Sequence, residues 1–260
     1  MMSISKRQVS TLCDIAYRKY GIYIGPEKIS RLLPKLEHCI DIEGYGGVDE
    51  LCNRLAAGER NVLEKFISCI TTCHTFFFRE SEHFRDLVND IKHSHRTIHT
   101  IWCAACSTGE EPYSIAMTLL DEGIRNFHII ASDLNRNVLA EFNRGIYHVS
   151  RLSQMSPTTR LHYFTPAGDD FFSIDHSLRN YISIKNLNLM DSIHFPEPFD
   201  YVFCRNVFIY FNEKSREQAI STITKNLKVG GSLFIGHAEV LLSQPENLKK
   251  AGSSIYCRTF

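Results

Sequence analysis

The stretch Ile101-Trp-Cys-Ala-Ala-Cys-Ser-Thr-Gly-Glu-Glu-Pro-Tyr-Ser-Ile-Ala-Met-Thr-Leu119 decides how the rest of the chain is read. It opens as an apolar, strand-length run and passes through the small residues Ala104, Ala105, Ser107, Thr108 and Gly109. A helical pattern then starts near Pro112. Small side chains at a strand end let a ligand approach the backbone, and glycine reaches backbone angles closed to other residues. This is the general form of a nucleotide-binding turn. It is not GxGxxG, because only one glycine is present, and it is not a P-loop, because the lysine is missing. Glu110 and Glu111 follow at once. A pyrophosphate on this helix start would meet two carboxylates at short range, a repulsion on the kcal/mol scale in a partly buried site. A phosphate-free cofactor with positive charge suits the place better, so S-adenosylmethionine fits where NAD fits poorly. The bland reading of the same glutamates is that acids favour a helix N-terminus.

Working outward, short apolar runs alternate with helix-length amphipathic segments. Ile98–Cys103 precedes a helix near Pro112–Gly123, His128–Ala131 one near Val138–Asn143, and Phe199–Cys204 one near Glu213–Leu227; Ser232–Ile235 follows Gly230-Gly231. Such alternation predicts βαβ units and a mostly parallel sheet covered by helices, with any ligand along the strand C-terminal edge. Residues about 163 to 185 break the pattern. Phe171, Ile174, Tyr181, Ile182 and Ile184 among Gly168, Asp169 and Asp175 suggest a small antiparallel insert.

The first seventy or so residues read as helices. Val9, Leu12, Ala16 and Tyr20 recur at helical spacing, as do Ile29, Leu32, Leu33 and Leu36, then Val48, Leu51, Cys52 and Leu55. Pro26 suits a first helical turn, whereas Pro34 should kink or interrupt its helix. The expected class is therefore α/β, with a small all-α N-terminal domain (1–74) and a larger domain (75–260) carrying the β insert at about 163–185.

Two further strand ends offer chemistry. Ile129-Ile-Ala-Ser-Asp133 ends in an acid at the interval where an acid accepts hydrogen bonds from both ribose hydroxyls; an ordinary helix cap is the alternative. Phe199-Asp-Tyr-Val-Phe-Cys-Arg205-Asn206 delivers an Arg-Asn pair to the ligand edge.

Composition narrows the class of partner. Lys+Arg and Asp+Glu each total 29, and 43% of residues are hydrophobic. Zero formal net charge gives no global attraction to nucleic acid. The apolar runs fall far short of the roughly 20 residues a membrane span needs, and the first twenty residues lack a signal-peptide core. A cytoplasmic protein without membrane insertion is expected. The nine cysteines are dispersed. Cys103 and Cys106 form a CxxC with no second pair to complete a zinc set, so buried thiols are expected and no metal is assigned.

Together these segments resemble the CheR family of chemotaxis receptor methyltransferases. The resemblance is carried in order by Thr75-Phe-Phe-Phe-Arg79-Glu80, Ala105-Cys-Ser-Thr-Gly-Glu-Glu-Pro-Tyr-Ser114, Ala131-Ser-Asp133, Gly145-Ile-Tyr147, Asn188-Leu189, Phe203-Cys-Arg-Asn-Val-Phe-Ile-Tyr-Phe211 and Gly236-His-Ala-Glu239. It implies a Rossmann-like methyltransferase sheet, a helical N-terminal domain and an antiparallel β subdomain. The implied activity moves a methyl group from S-adenosylmethionine to receptor glutamates, giving glutamyl methyl esters and S-adenosylhomocysteine.

By the same resemblance Cys73, Thr75, Arg79, one of Glu110 and Glu111, Asp133, Asn188, Leu189, Arg205 and Asn206 line the cofactor site. Arg79 reaches the cofactor carboxylate or the incoming glutamate, and Tyr210 sits beside the transferring methyl group. Lys28, Arg31 and Lys35 form the receptor-reading face, and the β subdomain is where a receptor tail peptide could dock. The chain departs from the family at Cys73-His74, where Asn-Leu is usual. The helix expected to read the receptor also carries less arginine than is usual, and Pro34 should interrupt it. The competing readings are a methyltransferase of this fold acting on another acceptor and a non-catalytic S-adenosylmethionine-binding signalling protein.

Overall fold

The computed structural model describes residues 4–71, 73–241 and 245–260. They form two compact units, Met1–Thr72 with Phe208–Ala219, and Cys73–Val207 with Ile220–Phe260.

The first unit contains α1 (Lys6–Tyr20), α2 (Pro26–Glu43), α3 (Val48–Ala56) and α4 (Arg60–Ile70). Ser5 and Gln8 make a reciprocal capping box at the start of α1, and Gly21 (φ 69°) ends it. The helices bury single faces: Val9, Leu12 and Ala16 on α1, Leu32, Leu36 and Ile40 on α2, Leu51 and Leu55 on α3, and Val62, Phe66 and Ile67 on α4. In this unit α1 meets α3 and α2 meets α4. The expected break at Pro34 does not occur, because α2 runs through it. Pro34 and Ser30 are both exposed, so water can bond the Ser30 carbonyl that the proline leaves without a donor. The apolar stripe four residues apart holds the helix in place. Residues 208–219 join this unit through an Ile22–Phe211 bridge and a hydrogen bond of 2.8 Å from the Tyr23 amide to the Tyr210 carbonyl.

In chain order the second unit begins with α5 (Glu82–His93), β1 (His99–Ala104), α6 (Glu110–Asp121), β2 (Phe127–Asp133) and α7 (Arg136–Arg144). Then come β3 (Ile146–His148), α8 (Pro157–Tyr163), β4 (Phe164–Pro166), β5 (Phe171–Ile174), β6 (Ile182–Asn186) and β7 (Phe199–Cys204). After α9 (Glu213–Lys225), whose residues up to Ala219 are counted in the first unit, the chain closes with β8 (Leu227–Ile235), β9 (Leu248–Gly252) and β10 (Ile255–Arg258). The main sheet has the order β6-β2-β1-β7-β8-β10-β9. Its first five strands are parallel, and β10 runs antiparallel to both β8 and β9.

The chain steps outward from β1 to β2 and β6, then returns to β7 on the other side of β1. That reversal opens a crevice at the carboxyl ends of β1 and β7, where such sheets bind ligands. Every residue of β7 is buried, and Phe203 stacks on Phe234 of β8 with ring centroids 4.3 Å apart.

A second, antiparallel sheet has the order β3-β5-β4. Its membership differs from the sequence expectation. Ile146–His148 joins it, while Ile182 and Ile184 belong to β6, parallel to β2 in the main sheet. The strand β6 lies at the edge and is half-exposed to exposed throughout, so it shows the period-2 pattern normally read as an antiparallel strand. Among the described residues no helix is long and apolar enough to cross a membrane.

Candidate active site

The turn between β1 and α6 is built from left-handed backbone. Ala105 (φ 64°), Ser107 (φ 52°) and Gly109 (φ 91°) alternate through it. A Cβ on Gly109 would stand 2.1 Å from Cδ2 of Phe142, so both conformation and space require glycine there.

The turn is fastened to the end of β2. The Cys106 amide donates to the Ser132 carbonyl at 2.8 Å and the Ser107 amide to Oδ2 of Asp133 at 2.8 Å. The Asn135 amide donates to the other Asp133 oxygen at 2.9 Å. Burial raises the Asp133 carboxyl above its usual range, and the amides of Asn135 and Ser107 partly restrain that rise. The Leu134 amide acts in the same direction, and a carboxylate's roughly four acceptor positions are not all taken by these amides. The loop bearing Asn188 and Leu189 begins at the same place, since the Leu187 amide donates to the Asp133 carbonyl at 3.1 Å.

The two glutamates of the turn differ in surroundings. Glu110 is wholly buried and accepts a hydrogen bond of 2.7 Å from Thr108 Oγ1. Its other oxygen, Oε1, has Arg151 Nη1 at 3.3 Å but no hydrogen-bond donor. Burial raises its pKa. Glu111 instead faces Arg205, with Nη1 at 3.0 Å; burial raises it and the guanidinium pulls the other way.

Arg205 is the centre of a clamp. Its side chain is 2% exposed and reaches Glu80 Oε2 from Nη2 at 3.1 Å and from Nε at 3.2 Å. Nη2 also donates to the Arg79 carbonyl, and the guanidinium lies over the Phe84 ring at 5.4 Å. Glu80 thereby ties the Thr75–Glu80 segment to the end of β7. Asn206 follows in left-handed conformation (φ 59°). Its amide donates to Glu239 Oε2 at 2.8 Å, the same oxygen that accepts from the Gly236 amide at 2.7 Å.

Cys73 and Thr75 line a cavity of about 350 Å³ with His74, Phe76, Ser150 and Arg151. Arg151 also donates to the Thr75 carbonyl. Arg79 stands beside this cavity, donating from Nη1 to the His74 carbonyl at 2.8 Å with its guanidinium 5.8 Å from the Phe76 ring centre.

The carboxyls of Glu80, Glu110, Glu111, Asp133 and Glu239 outnumber the guanidiniums of Arg79, Arg151 and Arg205 around these strand ends. Such an environment opposes a pyrophosphate and favours a cation. The donor-less Glu110 Oε1 is an acceptor suited to an ammonium, so these residues fit S-adenosylmethionine, which carries a sulfonium and an amino-acid ammonium.

Comparison with known proteins agrees with that fit. The family model described as CheR methyltransferase, SAM binding domain, matches residues 73–257. The chain belongs to the CheR family. Curated relatives named chemotaxis protein methyltransferase include one from Borreliella burgdorferi, 35% identical over 255 residues that span 92% of this chain and 90% of the relative. Another, from Salmonella typhimurium, is 32% identical and covers 98% of this chain and 91% of its own. The Escherichia coli K12 relative is 30% identical, covering 98% and 92%. As a CheR-family protein this chain is an S-adenosylmethionine-dependent methyltransferase with the α/β sheet of that class.

Every cofactor-site residue expected from the CheR resemblance lies in the second unit. Arg205 is turned toward Glu80 and Glu111 and not toward open space. Tyr210, Lys28, Arg31 and Lys35 belong to the first unit, where Lys28 Nζ donates to the Ile209 carbonyl at 3.0 Å. Cys103 and Cys106 are buried free thiols, both raised well above the ordinary range by burial. Sequence reasoning missed Glu80, Arg151 and Glu239 as organisers. The first and last close motifs already quoted, Thr75–Glu80 and Gly236–Glu239; nothing in the sequence around Arg151 marks it.

Proposed function

We propose that this methyltransferase acts in the cytoplasm on glutamate side chains in the helical region of chemotaxis receptors, forming glutamyl methyl esters. The observation that carries the reading is the excess of buried and half-buried carboxyls over guanidiniums at the strand ends, with Glu110 Oε1 lacking a hydrogen-bond donor. In this reading Glu110 accepts the cofactor's ammonium and Asp133 its ribose hydroxyls. Cys73, Thr75, Asn188 and Leu189 line the site, and Arg205 with Asn206 holds the wall formed by Arg79 and Glu80.

S-adenosylmethionine, when bound, supplies an electrophilic methyl group on a positively charged sulfur. An acceptor glutamate is already ionised near neutral pH, so the protein needs no general base. Its residues must orient the carboxylate and exclude water, and orientation alone can supply about 7–11 kcal/mol. Arg79 holds a carboxylate, that of the cofactor or of the acceptor, and Tyr210 shapes the methyl channel. Arg31, Lys35 and Lys28 on α2 read the receptor helix, and the three-stranded sheet β3-β5-β4 docks a receptor tail peptide.

The test is labelling of receptor fragments with tritiated-methyl S-adenosylmethionine, with and without their C-terminal tails. Base-labile label on glutamate peptides is expected, with less on tailless fragments. Base-stable label, or none, overturns the acceptor assignment. Equal labelling of both fragments removes the tail-docking role.

A further inference from the structure

The helical unit holds a thiol pair that methyl transfer does not use. Cys39 lies on α2 and Cys69 on α4, and the contacts between those helices fix an antiparallel register. Lys65 of α4 is paired with Glu43 of α2. Cys69 Sγ lies 3.1 Å from the Lys35 carbonyl, and Cys39 and Cys69, each one turn from Glu43 and Lys65 on its own helix, stand opposite one another in the same register. Both residues are half-buried, whereas Cys103, Cys106 and Cys204 are sealed in the core. We infer that Cys39 and Cys69 are a peroxide-oxidisable pair that closes to a disulfide joining α2 to α4.

The chemistry follows from the arrangement. The neighbouring Cys69 thiol lowers the Cys39 pKa; burial and Glu43 oppose this, and the Lys65 ammonium adds to it. Cys69 itself is raised, first by Cys39 and then by burial. With its S–H held by the Lys35 carbonyl, Cys69 keeps its proton, which makes Cys39 the nucleophile and Cys69 the resolving thiol. The Cys39 thiolate attacks one oxygen of hydrogen peroxide, the O–O bond breaks, and hydroxide leaves to be protonated to water. The resulting sulfenic acid is attacked by the Cys69 sulfur. The S–S bond forms, the S–O bond breaks, and a second water carries away the Cys69 proton.

Closing the pair brings the sulfurs to a bond length of about 2 Å. Oxidation strands no polar group. The Lys35 carbonyl that loses the Cys69 S–H keeps its helical donor, the Cys39 amide four residues on.

The test treats the full chain with hydrogen peroxide, alkylates the remaining thiols and maps peptides by mass spectrometry. The expected result is one cross-linked pair, Cys39 with Cys69, with loss of two hydrogens and reversal by dithiothreitol. Cys13 and Cys52, on the neighbouring helices α1 and α3, remain alkylatable. In Cys69→Ser, Cys39 accumulates as a sulfenic acid trapped by dimedone; in Cys39→Ser, Cys69 stays reduced. A cross-link to any other cysteine, or irreversible oxidation of Cys39 without a cross-link in the wild-type chain, overturns the proposal. Failure to trap a sulfenate in Cys69→Ser overturns the assignment of Cys39 as nucleophile.

Discussion

Replacing Arg205 with methionine tests the clamp at its centre. Methionine keeps an apolar stem against Phe84 but removes a guanidinium that makes contacts of 3.0 to 3.2 Å with two carboxylates. Removing one partner of a buried ion pair costs about 3–5 kcal/mol, because the remaining charge is stranded. A domain of this size loses roughly 2–4 °C in Tm for each kcal/mol, so a fall of about 6–20 °C is expected at neutral pH.

The loss has a definite pH dependence. Burial alone would raise Glu80, but the charge and hydrogen bonds of Arg205 outweigh it and hold the carboxyl below its usual range. In the wild-type chain that depressed pKa contributes stability present above the unfolded value and lost as pH falls through the folded one. In Arg205→Met both Glu80 and Glu111 are left to burial, and their pKa values rise. The penalty is then largest at neutral pH and shrinks on acidification as the carboxyls take up protons. Thermal unfolding across neutral to mildly acidic pH measures this directly. The companion Glu80→Gln/Glu111→Gln/Arg205→Met should recover much of the lost Tm, since no charge is stranded. A single variant within about 2 °C of wild type at neutral pH, or a triple variant no better than the single, refutes the clamp.

Four other perturbations follow from the same geometry. Gly109→Ala forces a methyl group into Phe142 at a backbone φ of 91°; strain and overpacking together cost about 2–5 kcal/mol, with loss of S-adenosylmethionine binding by calorimetry. Glu110→Gln removes the charge from the acceptor proposed for the cofactor ammonium, and a charge-assisted bond of about 1.5–3 kcal/mol corresponds to Kd weakened by roughly ten- to a hundredfold. Glu239→Ala leaves the Asn206 and Gly236 amides without their shared acceptor, at about 1–3 kcal/mol each, while Glu239→Gln keeps an acceptor oxygen and should retain most stability and turnover. Burial first, then the charge of Arg205, lowers His83 to about 4. The unfolded chain takes up a proton near pH 6.5 that the folded one refuses, so stability falls as pH drops between these values by up to about 3 kcal/mol. His83→Gln should flatten that part of the stability–pH curve.

How much of this was legible in the sequence depended on what each signal encodes. Small residues, one glycine and an acid after the next strand specify a turn and a strand end, because they answer local backbone demands. The Gly109 turn and Asp133 were therefore readable, and the structure joins them through the Ser107 amide. Strand β6 was misgrouped because alternation of polar and apolar residues reports half-burial and says nothing about the direction of the neighbouring strand. Pro34 misled in the opposite sense, since its local penalty falls on an exposed face while the tertiary contacts of Leu32, Leu36 and Ile40 keep the helix.

Arg205 shows where pattern reading ends. Its position after β7 placed it at the ligand edge, but whether a guanidinium there faces a ligand or the protein depends on partners 125 and 94 residues away, Glu80 and Glu111. In the structure both acids face it. Two half-buried carboxylates without that cation would each carry a desolvation penalty of several kcal/mol. An arginine released to a ligand would strand them, so in the structure Arg205 holds Glu80 and Glu111; Glu110 Oε1, with Arg151 at 3.3 Å but no hydrogen-bond donor, is the acceptor that we propose for the cationic cofactor.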